Sequence, residues 1–196
     1  MSIFLTIKFL GLMKFSLSPF YLLAIMGLLL TTACDDDDDN EPVNEQELIT
    51  TVRLNFENQS TGSTQTFVAR DTDGDGGQPP VVDDITLDDS TTYTVTAEFL
   101  DESDPNDVED ITEEVREEDE EHLVCYAFGG LVFNTAIQQD TDGNGDPLGL
   151  ETIMSTLNTG NGQLQISLKH EPDKSAVDAC STGETDVEVA FDVDVQ

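Results

Sequence analysis

Twelve consecutive residues carry oxygen donors at the spacing that wraps a hard divalent cation. Asp140-Thr141-Asp142-Gly143-Asn144-Gly145-Asp146-Pro147-Leu148-Gly149-Leu150-Glu151 fits D-x-[DN]-x-[DN]-G-x5-E, a calcium loop in which alternate side chains face the ion and a glycine makes the sharp turn. Asp140, Asp142 and Asn144 would supply side-chain oxygens, Asp146 a backbone carbonyl and Glu151 the closing carboxylate. The flanks FNTAIQQ and ETIMSTL read as strands, not as the helices of an EF-hand. The same residues therefore also suit a hairpin loop rich in turn formers. A second candidate, Asp71-Thr72-Asp73-Gly74-Asp75-Gly76-Gly77, offers Asp71, Asp73 and Asp75. Its twelfth position is Val82, so Asp83 or Asp84 would have to close it. Clustered carboxylates repel one another and a divalent ion relieves that repulsion, whereas a turn needs only one Asp or Asn.

Glu118 and His122 stand four residues apart, a spacing that puts both on one face of a helix as a pair of transition-metal ligands. Two ligands do not make a site, and a solvated acidic face ending in His122 at a helix C-terminus, where the dipole favours a cation, is the preferred account. His170-Glu171-Pro172-Asp173-Lys174 follows a strand and reads as a turn in which Asp173 and Lys174 pair. Catalytic patterns are missing: there is no G-x-S-x-G elbow, no H-E-x-x-H and no phosphate-binding glycine loop. Carboxylate pairs of the kind a glycoside hydrolase uses are too abundant here to be specific. The lack of Trp, with 3 Tyr and 10 Phe, argues against an aromatic sugar platform.

The elements that hold these residues lie in a chain of 196 residues with 42 acidic and 7 basic side chains. All the acids follow Ala33, and two of the bases, Lys8 and Lys14, precede it. So negative a surface repels phosphates and anionic lipid heads, which excludes nucleic-acid binding and peripheral docking on acidic membranes. Disorder throughout is excluded by a 37% apolar content arranged in patterned runs.

Residues 1–33 read as a secretory signal: Lys8 and Lys14, an apolar run from Phe20 to Leu30, then small residues before Cys34. Met13 makes the more natural start of such a signal. Leu30-Thr31-Thr32-Ala33-Cys34 resembles a bacterial lipobox, with Thr31 where Leu is commonest, which implies acylation of Cys34 and attachment to a membrane through its lipid chains. A plain secretory signal is the alternative. Residues 34–46, beginning Cys34-Asp35-Asp36-Asp37, then form an acidic tether, and an acidic run after the cysteine resembles the export signals of surface lipoproteins in Bacteroidota. Cys125 and Cys180 are left either to pair or to serve as small buried hydrophobes.

Residues 47–196 alternate apolar and polar positions with period two. Val52, Leu54 and Phe56 share a face, as do Tyr93, Val95, Ala97 and Phe99; Leu164, Ile166 and Leu168; and Val187, Val189, Phe191, Val193 and Val195. Leu123–Phe128 and Leu131–Phe133 are apolar on both faces and are expected to form a central pair around Gly129-Gly130. Further strands are expected at 65–70, 81–87 and 150–157. The pattern predicts an all-β, antiparallel β-sandwich of Ig-like type with about eight or nine strands. One short acidic helix is expected over 110–121, opened by Asp110 with Glu113 as a capping box and packing through Ile111 and Val115.

The order LITTVRLNF, DTDGDGG, TTYTVTAEFLDES, DITEEVREEDEEH, DTDGNGDPLGL, LKHEPDKS and GETDVEVAFDV resembles a family of short Bacteroidota lipoproteins, over about residues 47–196. Its members are often labelled type 1 periplasmic binding fold proteins. That label implies a two-lobed α/β fold, whereas the strand pattern here implies two sheets. Some members accompany outer-membrane TonB-dependent receptors, which implies an uptake accessory. The combined expectation is a non-enzymatic, lipid-anchored outer-membrane protein, exposed at the cell surface, acting as a binding or accessory module with calcium in its Asp-rich loops. A structural or adhesive Ig-like domain and, behind it, a carboxylate-based hydrolase are the alternatives.

Overall fold

Val52, Leu54 and Phe56 are buried while Arg53, Asn55 and Glu57 face outward, so the first strand folds as its period-two pattern dictates. In the computed structural model, which describes residues 47–71, 77–130, 132–134 and 136–196, this strand is β1 (Thr51–Asn58). It is followed by β2 (Thr64–Arg70), β3 (Val81–Val82), β4 (Ile85–Leu87), β5 (Thr92–Asp101), β6 (Glu109–Asp110) and helix α1 (Ile111–Glu117). The remaining strands are β7 (His122–Gly129), β8 (Ile137–Gln138), β9 (Glu151–Ser155), β10 (Gly160–His170) and β11 (Glu184–Val195). The described chain is mostly β, in two sheets. Seven strands make one, in the order β3-β2-β1-β5-β9-β8 with β6 added beside β5, and β4-β11-β10-β7 makes the other.

Both sheets feed one core. Leu54, Phe56, Val95 and Phe99 from the first meet Leu164, Ile166, Leu168, Phe191 and Val193 from the second in a single cluster of buried side chains. Each fully buried aliphatic or aromatic side chain contributes about 1.5–3 kcal/mol of transfer free energy. Helix α1 docks through Ile111, Thr112 and Val115. Thr112 is the contact its polarity hides: its hydroxyl accepts from the Phe99 amide at 2.9 Å and donates to the Phe99 carbonyl at 3.2 Å, lacing the helix to β5.

Four expectations are corrected. Eleven strands form among the described residues rather than eight or nine, and β4 runs parallel to β11. The segment 81–87 is two strands, one in each sheet, because Asp83 stops the first by accepting the Val68 amide through its carboxylate. Strand β7 is the end of its sheet, not half of a central pair. Gly130, at φ 86°, turns the chain away, and the free edge of β7 is taken by Leu148, whose carbonyl accepts the Val124 amide, and by Gln138, whose amide donates to the Val124 carbonyl. The helix stops at Glu117, short of residue 121, and Asp110 caps the Thr112 amide. The run Glu117-Glu118-Asp119-Glu120-Glu121 has no apolar face to bury, and its like charges oppose further turns.

Cys125 of β7 is bonded to Cys180, in the 3-10 turn Ala179–Ser181 of the loop between β10 and β11, with Cα atoms 5.9 Å apart and a sequence separation of 55. The bridge pins that loop to the end strand of the smaller sheet. In the chain-entropy model a loop of this length is worth about 4 kcal/mol. Reduction, or Cys125→Ser with Cys180→Ser, should therefore lower the unfolding free energy by about that amount, read from urea denaturation with and without reductant. An unchanged midpoint would show that the bridge adds nothing.

Candidate functional site

Two histidines are the only ones in the chain, and the register of the smaller sheet brings them together. His122 opens β7, His170 closes β10, and they are directly paired in the antiparallel ladder. Their rings stack with centroids 4.8 Å apart and planes 18° from parallel. On the other side of β10 the register slips between Leu168 and Lys169: Leu168 faces Val187 and Lys169 faces Thr185, so Asp186 is the extra residue of a bulge in β11. A bulge re-aims a side chain, and here it buries the Asp186 carboxylate to 2% exposure, 4.0 Å from Nδ1 of His170. Glu47, a few residues ahead of β1, brings a further carboxylate against His122.

The hydrogen bonding of His122 fixes where its protons sit. The ring is fully buried, and its Nδ1 lies 3.1 Å from the Glu118 carbonyl oxygen. A carbonyl only accepts, so Nδ1 carries hydrogen. Nε2 then faces Oε1 of Glu47 at 3.3 Å, and a carboxylate also only accepts. Without a cation between them, Nε2 must be protonated. Burial by itself disfavours the imidazolium. The Glu47 carboxylate, the Glu118 carbonyl and the charge of Asp186 outweigh it and raise the His122 pKa above its ordinary value. Asp186 is raised too, first by burial and then by Glu47, against the pull of the two imidazoles. Even so, Glu47 Oε2, His122 Nε2 and Asp186 Oδ2 are buried with no hydrogen-bond partner, and each such atom costs about 1–3 kcal/mol.

Three groups of side chains have ligand atoms close enough to share a metal ion: His122, His170 and Asp186; Glu47, Glu118 and His122; and Glu121, His170 and Glu171. Within each, the atoms lie within 4.8 Å of one another. The carboxylates of Asp140, Asp142, Asp146 and Glu151 form no such group among the described residues.

Those loop residues sit at the tip of the hairpin between β8 and β9, and the carboxylates of Asp140 and Asp142 are engaged. Asp140 accepts the Gly149 amide at 2.9 Å and the Glu151 amide at 3.1 Å. Asp142, buried although it lies in a turn, accepts the amides of Asn144 and Asp146 through Oδ1 and the Lys174 ammonium, at 2.8 Å, through Oδ2. Lys174 also donates to the Asp119 carbonyl. Asn144 and Asp146 are exposed, and Glu151 is exposed where it begins β9. The positive charge at this loop is thus an ammonium of the chain itself, and Lys174 pairs with Asp142, not with Asp173. Asp71 has one buried carboxylate oxygen without a partner, and Asp73, Asp75 and Cys34 lie outside the described residues. Sequence inspection missed the Glu47–His122–His170–Asp186 cluster. Its local traces are the Glu118–His122 spacing and the place of His170 at the end of an alternating strand.

Burial alone would raise the Asp142 carboxyl, but Lys174 and the two amides hold it below its ordinary value. A depressed native pKa contributes stability that is complete above the unfolded value, 3.8, and is lost as pH falls through the native value. Breaking a buried pair by removing one partner costs about 3 kcal/mol. Lys174→Met should therefore cost about that much at neutral pH and progressively less below pH ~3.5, measured as urea midpoints across pH. Calcium should stabilise the variant more than the parent, since it would replace the lost ammonium; equal thermal shifts would rule out calcium at this hairpin. No protein-family model, curated protein or solved structure matches this chain.

Proposed function

We propose that the protein is a lipid-anchored envelope protein, displayed on the outer membrane, whose folded body is a non-enzymatic binding or accessory module beside a TonB-dependent receptor. The observation that carries this reading is Cys34 itself: an apolar run, small residues, the thiol, and an immediate switch to Asp35-Asp36-Asp37-Asp38-Asp39. The Cys125–Cys180 bridge supports it, because such bonds persist in oxidising compartments outside the cytosol. Antiparallel pairing of all the described strands except β4 with β11, and a core fed by both sheets, support an Ig-like sandwich as the body. The surplus of carboxylates supports a role in concentrating cations or a cationic ligand. The histidines face carboxylates and a backbone carbonyl rather than a serine or a thiol, which favours binding over nucleophilic catalysis. Calcium enters as a competitor of Lys174 at the 140–151 hairpin.

Metabolic labelling with palmitate should mark the native chain, and Cys34→Ala should abolish the label and move the protein from the membrane to the soluble fraction. Protease treatment of whole cells should cleave the native form if it is displayed outward. A Cys34→Ala chain that stays in the membrane would remove the lipid anchor from the account.

A further inference from the structure

We propose that His122, His170, Asp186 and Glu47 form a binding site for a divalent transition metal of the zinc type. Membrane anchoring plays no part in this inference. The Glu118 carbonyl holds Nδ1–H of His122, which is how proteins orient a metal-binding imidazole: one nitrogen is fixed by a carbonyl and the other is left to the ion. That other nitrogen, Nε2, lies 3.3 Å from Oε1 of Glu47. With metal–ligand bonds near 2.0–2.1 Å, neighbouring atoms of a tetrahedral shell sit about 3.4 Å apart, so these two already have the separation of ligands to one ion. One atom each of His122, His170 and Asp186 lies within 4.8 Å of the others. His170 approaches Glu121 at 3.8 Å and Asp186 at 4.0 Å, both beyond hydrogen-bond reach. Ligation by His170 therefore requires its ring to turn out of the stack on His122.

Two further observations point to a cation. Glu47 Oε2, His122 Nε2 and Asp186 Oδ2, from three separate stretches of chain, are buried and unpartnered. The five basic residues after Ala33 are all engaged elsewhere: Arg53 with Glu98, Arg70 with Glu102, Arg116 with the Thr112 carbonyl, Lys169 with Thr185 and Lys174 with Asp142. Two imidazoles and two carboxylates suit zinc, cobalt, nickel or iron, whereas calcium and magnesium take oxygen alone. Four protein donors close the shell, as in a structural site. The ion would clamp the segment before β1 to the ends of β7 and β10 and to the bulge of β11.

The test uses the full chain in detergent, stripped with a chelator and titrated with zinc chloride while the imidazoles are followed by proton–nitrogen NMR. With two histidines in the chain, both ring systems should shift together, saturating at one zinc per chain, with the Nδ1 proton of His122 retained. Cobalt chloride should give the visible absorption of a four-coordinate site. Loss of even an outer partner costs a metal site ~10–100-fold in affinity. His170→Gln and Asp186→Asn should each therefore weaken zinc by at least on the order of 100-fold, while Asp140→Ala leaves it unchanged. Zinc that leaves both imidazoles unmoved overturns the proposal, because the ion has then gone to surface carboxylates. Folded variants that keep full affinity overturn it as well. Should either variant fail to fold, the NMR of the unsubstituted chain decides alone.

Discussion

Cations are the scarce resource of this fold. Five basic side chains follow Ala33 in company with all 42 acids, and the structure places each basic one against a specific acceptor. Arg53 and Arg70 share Glu102 across β1 and β2, with Arg53 also reaching Glu98, but those side chains are 20–46% exposed. Such surface pairs contribute about 0–1 kcal/mol. Other carboxylates stay solvated on outward positions of the strands, as Glu188 and Asp192 do on β11, whereas Asp142, Asp186 and Glu47 are buried. Surface charge therefore does little to hold the molecule together, and beyond the buried Lys174–Asp142 pair stability has to come from the apolar layer between the sheets and from the bond between Cys125 and Cys180.

That division explains the character of the strands. In β10, Leu164, Ile166 and Leu168 bury one face while Gln163, Gln165 and Ser167 remain on the other. The strand lies between β7 and β11 and transmits its register to both. Where the alternation ends, at Lys169 and His170, the bulge opposite appears and the buried residues turn polar. The same strand thus builds the core along most of its length and the histidine cluster at its end. The disulfide and Lys174 fasten the following loop over that end of the sheet.

What was legible in the sequence is what depends on neighbours along the chain. The alternation at 52–56, 93–99, 164–168 and 187–195 marks strands because one face of each is buried. The division of 81–87 between sheets was not legible, since it depends on where β2 and β11 happen to lie. The Asp140–Glu151 spacing leaves two readings open for a physical reason. Oxygens at alternate positions serve a bound ion and a turn's own amides equally well, and the arrival of Lys174 at Asp142 is a non-local contact that the spacing does not contain. His122 and His170 meet through a strand register, a non-local property that no spacing rule along the chain contains.

A buried ionic cluster needs its own physical reason, because well-packed apolar residues of the same volume are as good or better for stability. Leu168 shows that β10 can supply such residues one turn of the pleat earlier. At His170 it does not, and two carboxylates and two imidazoles share a space with three unpartnered atoms. Protons can balance part of this charge, and the raised values of His122 and Asp186 express that tendency. A proton on Nε2 of His122 faces Oε1 of Glu47, however, while Glu47 Oε2 stays unpartnered and Asp186 faces an imidazole that it does not reach. A single divalent ion would answer both carboxylates together, which is the physical reason to look for one at this end of the sheet.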